Sequence, residues 1–98
     1  MDISDIRNDF PILSKKIYDK DLVYFDNGAS TQKPKQVISK IVECYSSEYS
    51  NVHRGLHYLS NNLTDKFEET REKIKSFLGA KHCEEIIFTT GATESLNL

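Results

Sequence analysis

The sequence predicts an α/β fold of two long helices plus short strands, with an incomplete sheet. Three observations lead there. Two strand-like runs, Leu22-Val23-Tyr24-Phe25 and Glu85-Ile86-Ile87-Phe88-Thr89, flank two segments of helical period. The 4 glycines and 2 prolines stand mostly at the joints between these segments rather than inside them. A further helical pattern begins after Gly91 and is still running at Leu98. Strands alternating with helices imply a parallel sheet, which is buried on both faces and usually has more than two strands. The expectation is therefore the N-terminal part of a larger α/β protein.

Asp2 to Asn8 reads as a short helix with Ile3 and Ile6 on one face, and Phe10-Pro11 stops it. Leu22–Phe25 reads as a buried strand, and Asp26-Asn27-Gly28 turns the chain. Pro34 suits a first helical turn. Val37, Ile38, Ile41, Val42 and Tyr45 then recur at helical spacing. The second long helix runs from about Ser60 to Leu78, with Leu63, Phe67, Ile74, Phe77 and Leu78 on its apolar face. Its charges, from Asp65 to Lys75, read as a solvated face. Gly79 stands where a glycine ends such a helix. Residues 85–89 read as the best strand in the chain.

Composition excludes several classes. Of 98 residues, 38% are hydrophobic and 29% charged, which suits a globular chain rather than a disordered one. Thirteen basic against 15 acidic residues leave a net charge of −2, which argues against a general grip on nucleic acid or anionic membrane. No apolar run approaches the roughly 20 residues of a membrane span. The N-terminus carries acid where a secretory signal carries base, so a cytoplasmic location is expected. Two cysteines make no disulfide framework. Cys44 reads as a buried structural thiol in the Pro34 helix. Cys83 reads as a plain exposed thiol, the alternative being a thiol of lowered pKa beside Lys81-His82. Asn62-Leu63-Thr64 matches a glycosylation sequon by chance.

Three motifs bear on function. Thr89-Thr90-Gly91-Ala92-Thr93-Glu94 leads a strand through a glycine into a helix. Free N–H groups at such a start attract anions, and the Thr93 hydroxyl adds a donor. An ordinary strand–turn–helix reads the same way. Asp26-Asn27-Gly28-Ala29-Ser30 carries a hairpin signal without a returning strand, so either a turn presenting N–H groups into a cleft or a plain surface turn fits. In Asn51-Val52-His53-Arg54-Gly55-Leu56-His57, the histidines stand four apart. Gly55 disfavours a helix between them and no third ligand is near, so no metal is expected. Arg54 beside His53 suits a carboxylate or phosphate, or else a solvated loop.

Taken in order, Tyr24–Ser30, Gln32-Lys33-Pro34, Val52–His57 and Gly91–Leu98 closely resemble the start of SUF-type (group II) cysteine desulfurases. These are class V aminotransferase relatives of pyridoxal-phosphate fold type I, the aspartate aminotransferase-like fold. The resemblance covers nearly the whole chain. It implies a homodimeric enzyme of a much longer chain that takes sulfur from L-cysteine, leaves alanine, and holds the sulfur as a persulfide. The sulfur then passes to an acceptor protein for iron–sulfur cluster assembly. It assigns residues 1–22 to an N-terminal arm and 23–98 to the start of the large-domain region, with no complete second domain. Ala92 and Thr93 would hold the phosphate of pyridoxal 5′-phosphate, and Asn97 would support them. Ala29 would lie beside the substrate carboxylate. His53 and Arg54 would approach the active-site mouth across the dimer interface.

This sequence departs from the family pattern at three places. Thr90 stands where many relatives carry arginine, Ala92 where they carry threonine, and Gly28 where alanine is usual. The family's cofactor-anchoring lysine, its acidic partner for the pyridine nitrogen and its nucleophilic cysteine match nothing here. No catalytic residue is therefore expected in these residues, and alone they should be inactive, with exposed apolar faces. Rival readings are a selenocysteine lyase or kynureninase-like enzyme of the same fold, or a non-enzymatic anion-binding module.

Overall fold

The computed structural model describes residues 2–98; Met1, the first residue of the expected arm, lies outside them. The chain divides into two compact units, Met1–Glu48 and Tyr49–Leu98.

The first unit begins with α1 (Ile3–Asn8), capped by the Asp2 carboxylate on the Ser4 amide at 3.1 Å. A 3-10 turn, Pro11–Ser14, follows. Strands β1 (Lys16–Ile17) and β2 (Lys20–Asp21) then pair antiparallel. Tyr18 and Asp19 join them with φ of 49° and 61°, the two positive angles that a tight hairpin turn matched to strand twist requires. Arg7 holds these pieces together by donating to the carbonyls of Leu13 and Leu22, each at 3.0 Å. Helix α2 (Lys35–Glu43) starts one residue after Pro34. Asp9 anchors that start through an ion pair with Lys35 (3.0 Å) and through its backbone carbonyl, which accepts from the Lys35 amide (2.7 Å). Lys35 and then Gln36 hold the Asp9 carboxyl below its ordinary pKa.

Helix α2 ends in a π turn, Cys44–Glu48, with Cys44 half-buried at its first residue rather than within the helix as expected. Glu48 is buried there, and its carboxylate pairs with Lys40 at 3.1 Å. The apolar stripe read from the sequence runs along α2 into the π turn but is exposed: Val37, Ile38, Ile41, Val42 and Tyr45 are 43% to 71% exposed.

The second unit is built on α3 (Tyr58–Leu78). It starts two residues before the expected Ser60, because the His57 imidazole caps it, accepting from the Ser60 amide. Gly79, with φ of 72°, closes it in the left-handed conformation. A 3-10 turn, Cys83–Glu85, and the short α4 (Ala92–Asn97) complete the unit.

Neither expected strand forms a ladder. Among the described residues the only paired strands are β1 and β2. Glu85 instead closes the 3-10 turn, its Oε1 accepting from the Lys81 and His82 amides at 3.0 and 2.7 Å. Ile86 is extended (φ −100°, ψ 109°), but the Arg71 guanidinium takes its carbonyl in place of a neighbouring strand. Ile86 is also the one buried apolar side chain among the described residues, at 8% exposure. Apolar burial is the main favourable term in folding. Very little of it is realised within these residues.

Candidate functional site

In the second unit, two candidate segments meet one face of α3. Phe67, about two turns in from Ser60, carries the first contact. The His53 ring packs edge-on to Phe67 with centroids 5.5 Å apart. Phe88, just before the Thr89–Glu94 turn, meets the same ring at 4.9 Å. Edge-to-face pairs of this kind contribute about 0.5–1.5 kcal/mol beyond their area. Arg71 lies between these elements. Its Cζ is 5.4 Å from the Phe67 centroid and 4.9 Å from that of Phe88. Its Nε donates to Glu68 Oε2 at 2.9 Å. Glu68 in turn meets His53 Nε2 through its other oxygen at 3.2 Å.

The charge run on α3 is therefore not solvated throughout. Glu69–Lys73 is an open i,i+4 pair, but the Arg71 side chain is only 20% exposed. Around Phe67 and Arg71 lies an open groove of about 470 Å³, lined also by Cys83, Ile86 and Phe88.

The Asn51–His57 turn is tied at alternate residues. The Ser60 hydroxyl donates to the Asn51 carbonyl at 2.6 Å and accepts from the Gly55 amide at 3.0 Å. The His53 amide donates to Thr64 Oγ1 at 2.9 Å, and that hydroxyl donates to the Ser60 carbonyl at 2.7 Å. His57 accepts through Nδ1, so its proton sits on Nε2, which faces Ser50 Oγ at 3.4 Å. His53 and His57 are thus engaged with different partners. Among the described residues no group of three His, Cys, Asp or Glu side chains could hold a metal.

The Thr89–Glu94 turn is open. Gly91 precedes α4 with no side chain capping the first turn. A Cβ on Gly91 would meet nothing within 4 Å. The Thr93 hydroxyl has no partner among the described residues, and Asn97 Nδ2 donates to the Thr93 carbonyl at 2.7 Å. Two residues that the sequence reading passed over shape this turn. Glu94 Oε2 accepts from both the amide and the hydroxyl of Thr90, each at 2.6 Å. Those bonds, the side-chain one first, hold the Glu94 carboxyl below its ordinary pKa. The carboxylate is thus drawn back toward residue 90. Ser95 Oγ bonds Thr89 Oγ1 at 2.6 Å and the Gly91 carbonyl at 3.1 Å, bracing the turn from inside. A threonine and a glutamate four apart were the available signal.

Ala29 belongs to the first unit. Its amide and that of Ser30 donate to the Asp26 carbonyl at 3.2 and 3.0 Å. Those two amides are thus engaged within the turn itself. Tyr24 Oη also donates to the Asp26 and Ser30 carbonyls, and Asn27 Oδ1 accepts from the Gln32 amide.

The reading of Cys83 as exposed is corrected. It is half-buried, and its thiol donates to Glu72 Oε2 at 2.8 Å. The carboxylate, followed by burial, pushes the thiol pKa up, although Lys75 pulls the other way. The neighbouring Lys81-His82 does not activate it.

The model of the class-V aminotransferase family matches residues 23–98. A cysteine desulfurase of Wigglesworthia glossinidia brevipalpis is 52% identical over 96 residues, covering 98% of this chain and 23% of that protein. A probable cysteine desulfurase 1 of Mycobacterium leprae is 47% identical over 97 residues, covering 99% of this chain and 16% of its own length. Among solved structures, the apo cysteine desulfurase of Thermococcus onnurineus NA1 superposes with a TM-score of 0.82 at 42% identity. It is matched over 97% of this chain and 22% of its own. The chain thus spans less than a quarter of the length of these relatives.

Proposed function

The chain belongs to the class-V aminotransferase family, and from that premise we propose that it is the opening segment of a SUF-type cysteine desulfurase. The whole protein would take L-cysteine, release alanine, and keep the sulfur as a persulfide for an acceptor protein of iron–sulfur cluster assembly. It would act in the cytoplasm as a homodimer. Residues 1–22 would be its arm, and 23–98 the start of its large-domain region. Its cofactor-anchoring lysine and nucleophilic cysteine would lie outside these residues, so the segment alone would be inactive.

The observation that carries this reading is the Thr89–Asn97 turn. Its helix start has no side-chain cap, a threonine hydroxyl is open beside it, and the Glu94 carboxylate is engaged by the Thr90 amide and hydroxyl. Those features fit the phosphate of pyridoxal 5′-phosphate, because helix-start amides attract anions. Ala92 would offer its amide and Thr93 its amide and hydroxyl. Asn97 would steady the Thr93 carbonyl on the same short helix. When bound, the cofactor supplies the electron sink for cleaving the carbon–sulfur bond. Ala29, His53 and Arg54 would serve the substrate side.

The test uses the complete reading frame that carries this chain. The purified protein should hold pyridoxal phosphate, seen by its absorbance, and form alanine from L-cysteine. Thr93→Val should weaken cofactor binding roughly tenfold, the worth of one charge-assisted hydrogen bond. A wild-type protein that holds no cofactor or forms no alanine overturns the reading.

A further inference from the structure

Arg71 stands on α3, opposite the chain that leads into the Thr89–Asn97 turn. A guanidinium drawn out of water needs partners for its donors. Nε donates to Glu68 Oε2 at 2.9 Å, and Nη1 donates to the Ile86 carbonyl. The Phe67 and Phe88 rings, at 5.4 and 4.9 Å from Cζ, lie within cation–π range. Arg71 therefore holds the chain at two places, the backbone of Ile86 and the ring of Phe88.

Those two places fix a register. Residues two apart in extended chain share one side. Ile87, between them, is 61% exposed. A slip of one residue would turn Ile87 toward α3 and Phe88 away from it. The Ile86 amide is also occupied, donating to the Cys83 carbonyl at 3.0 Å. Thr89 comes next, and its hydroxyl bonds Ser95 Oγ inside the turn. Among the described residues no hydrogen bond joins residues 89–97 to α3. The turn is referred to that helix through Ile86 and Phe88.

We infer that Arg71 is a positioning residue, which sets the register of residues 86–88 and so places the Thr89–Asn97 turn to receive the cofactor phosphate. The inference rests on the function proposed above. A turn that is already placed loses no freedom when it binds an anion. A turn on a loosely held segment must lose that freedom first, and affinity falls accordingly. Charge alone does not do this work. A lysine is a point charge on a flexible stem and cannot hold the Glu68 carboxylate and the Ile86 carbonyl in one planar fork.

The experiment takes the complete protein, stripped of cofactor, and titrates it with pyridoxal phosphate, followed by absorbance. Arg71→Gln should weaken binding about tenfold, and Arg71→Lys about threefold, since lysine keeps one of the two ties. KM for L-cysteine at saturating cofactor should stay within about twofold of wild type, because the seated phosphate then holds the turn. Amide hydrogen exchange should quicken across residues 86–93 and stay unchanged across the Lys16–Asp21 hairpin, which belongs to the other unit. If Arg71→Gln does not fold, Arg71→Lys gives the same three readouts.

Exchange at residues 86–93 that stays unchanged overturns the inference. So does exchange that quickens equally in the hairpin, which would make the loss general rather than local. Cofactor affinity equal to wild type in a variant whose segment has loosened overturns it as well. A wild type that takes up no pyridoxal phosphate overturns the proposed function, and the role of Arg71 toward the cofactor falls with it.

Discussion

The turns at Gly55 and Gly91 both contain a glycine, and both lead toward a helix of the second unit, yet they are built in opposite ways. At Gly55 the missing side chain is required by packing, because a buried serine occupies the space. At Gly91 nothing lies within 4 Å of where a side chain would be. The first turn is tied to α3 by hydrogen bonds at alternate residues, and the second braces itself through Ser95 and Glu94 while its helix start stays uncapped. The contrast teaches that a glycine's role is set by what stands opposite it. One turn is closed by a side chain from α3; the other leaves its helix start without a side-chain cap.

The most direct way to break this contrast is a pair of alanine substitutions in the complete protein. Gly55→Ala should cost about 1–3 kcal/mol, as overpacking against a buried neighbour does. Gly91→Ala should stay within about 0.5 kcal/mol of wild type, as open surface positions do. Thermal melts of the two variants check this, and equal losses would dissolve the distinction.

A smaller effect is expected from Phe67→Leu. It removes the ring that touches His53 on one side and Phe88 on the other. The expected loss is about 1 kcal/mol from the edge-to-face pairs. Hydrogen exchange should rise in both turns together, since Phe67 touches the segments that lead to each. A rise confined to the His53 turn would show that the Phe88 contact carries nothing.

The smallest effect is chemical rather than structural. Glu72 keeps the Cys83 thiol protonated above its ordinary range, and the Cys83 and Lys75 contacts hold the Glu72 carboxyl below its own. The raised thiol pKa favours the fold below the ordinary thiol range, and that contribution is lost as pH rises through the raised value. The lowered carboxyl pKa favours the fold above the ordinary carboxylate range, and that is lost as pH falls through the lowered value. The pair therefore helps between those limits. Glu72→Gln should speed alkylation of Cys83 by iodoacetamide at pH 8 about threefold, because more of the thiol is then ionised. An unchanged rate would assign the low reactivity to burial instead.

The helices were legible in the sequence because their signals are local. The 3.6-residue stripe of α2, the charges of α3 and the stop at Gly79 each need only near neighbours. The strands were not, because a strand exists only where a partner runs beside it. Residues 86–89 have strand composition, but the carbonyl of Ile86 is bonded to Arg71. The hairpin that does form turns on Tyr18 and Asp19, neither of which is the usual glycine or asparagine choice. The identity of the candidate turns was readable from their order along the chain. Their support was not: Ser60, Glu68 and Arg71 lie on α3, 5, 15 and 15 residues from their partners Gly55, His53 and Ile86 in sequence, and only folding brings them together.

The π turn at Cys44–Glu48 has a consequence for length. A π turn bonds i to i+5 where an α turn bonds i to i+4, so it stores one surplus residue. Deleting a residue inside α2 would rotate everything after it by about 100° and misdirect the side chains beyond. Deleting one residue from the π turn would convert it to an ordinary turn and leave both flanks in phase. Single-codon gaps between relatives of this chain should therefore collect at residues 44–48, where a frame-preserving deletion disturbs the fold least.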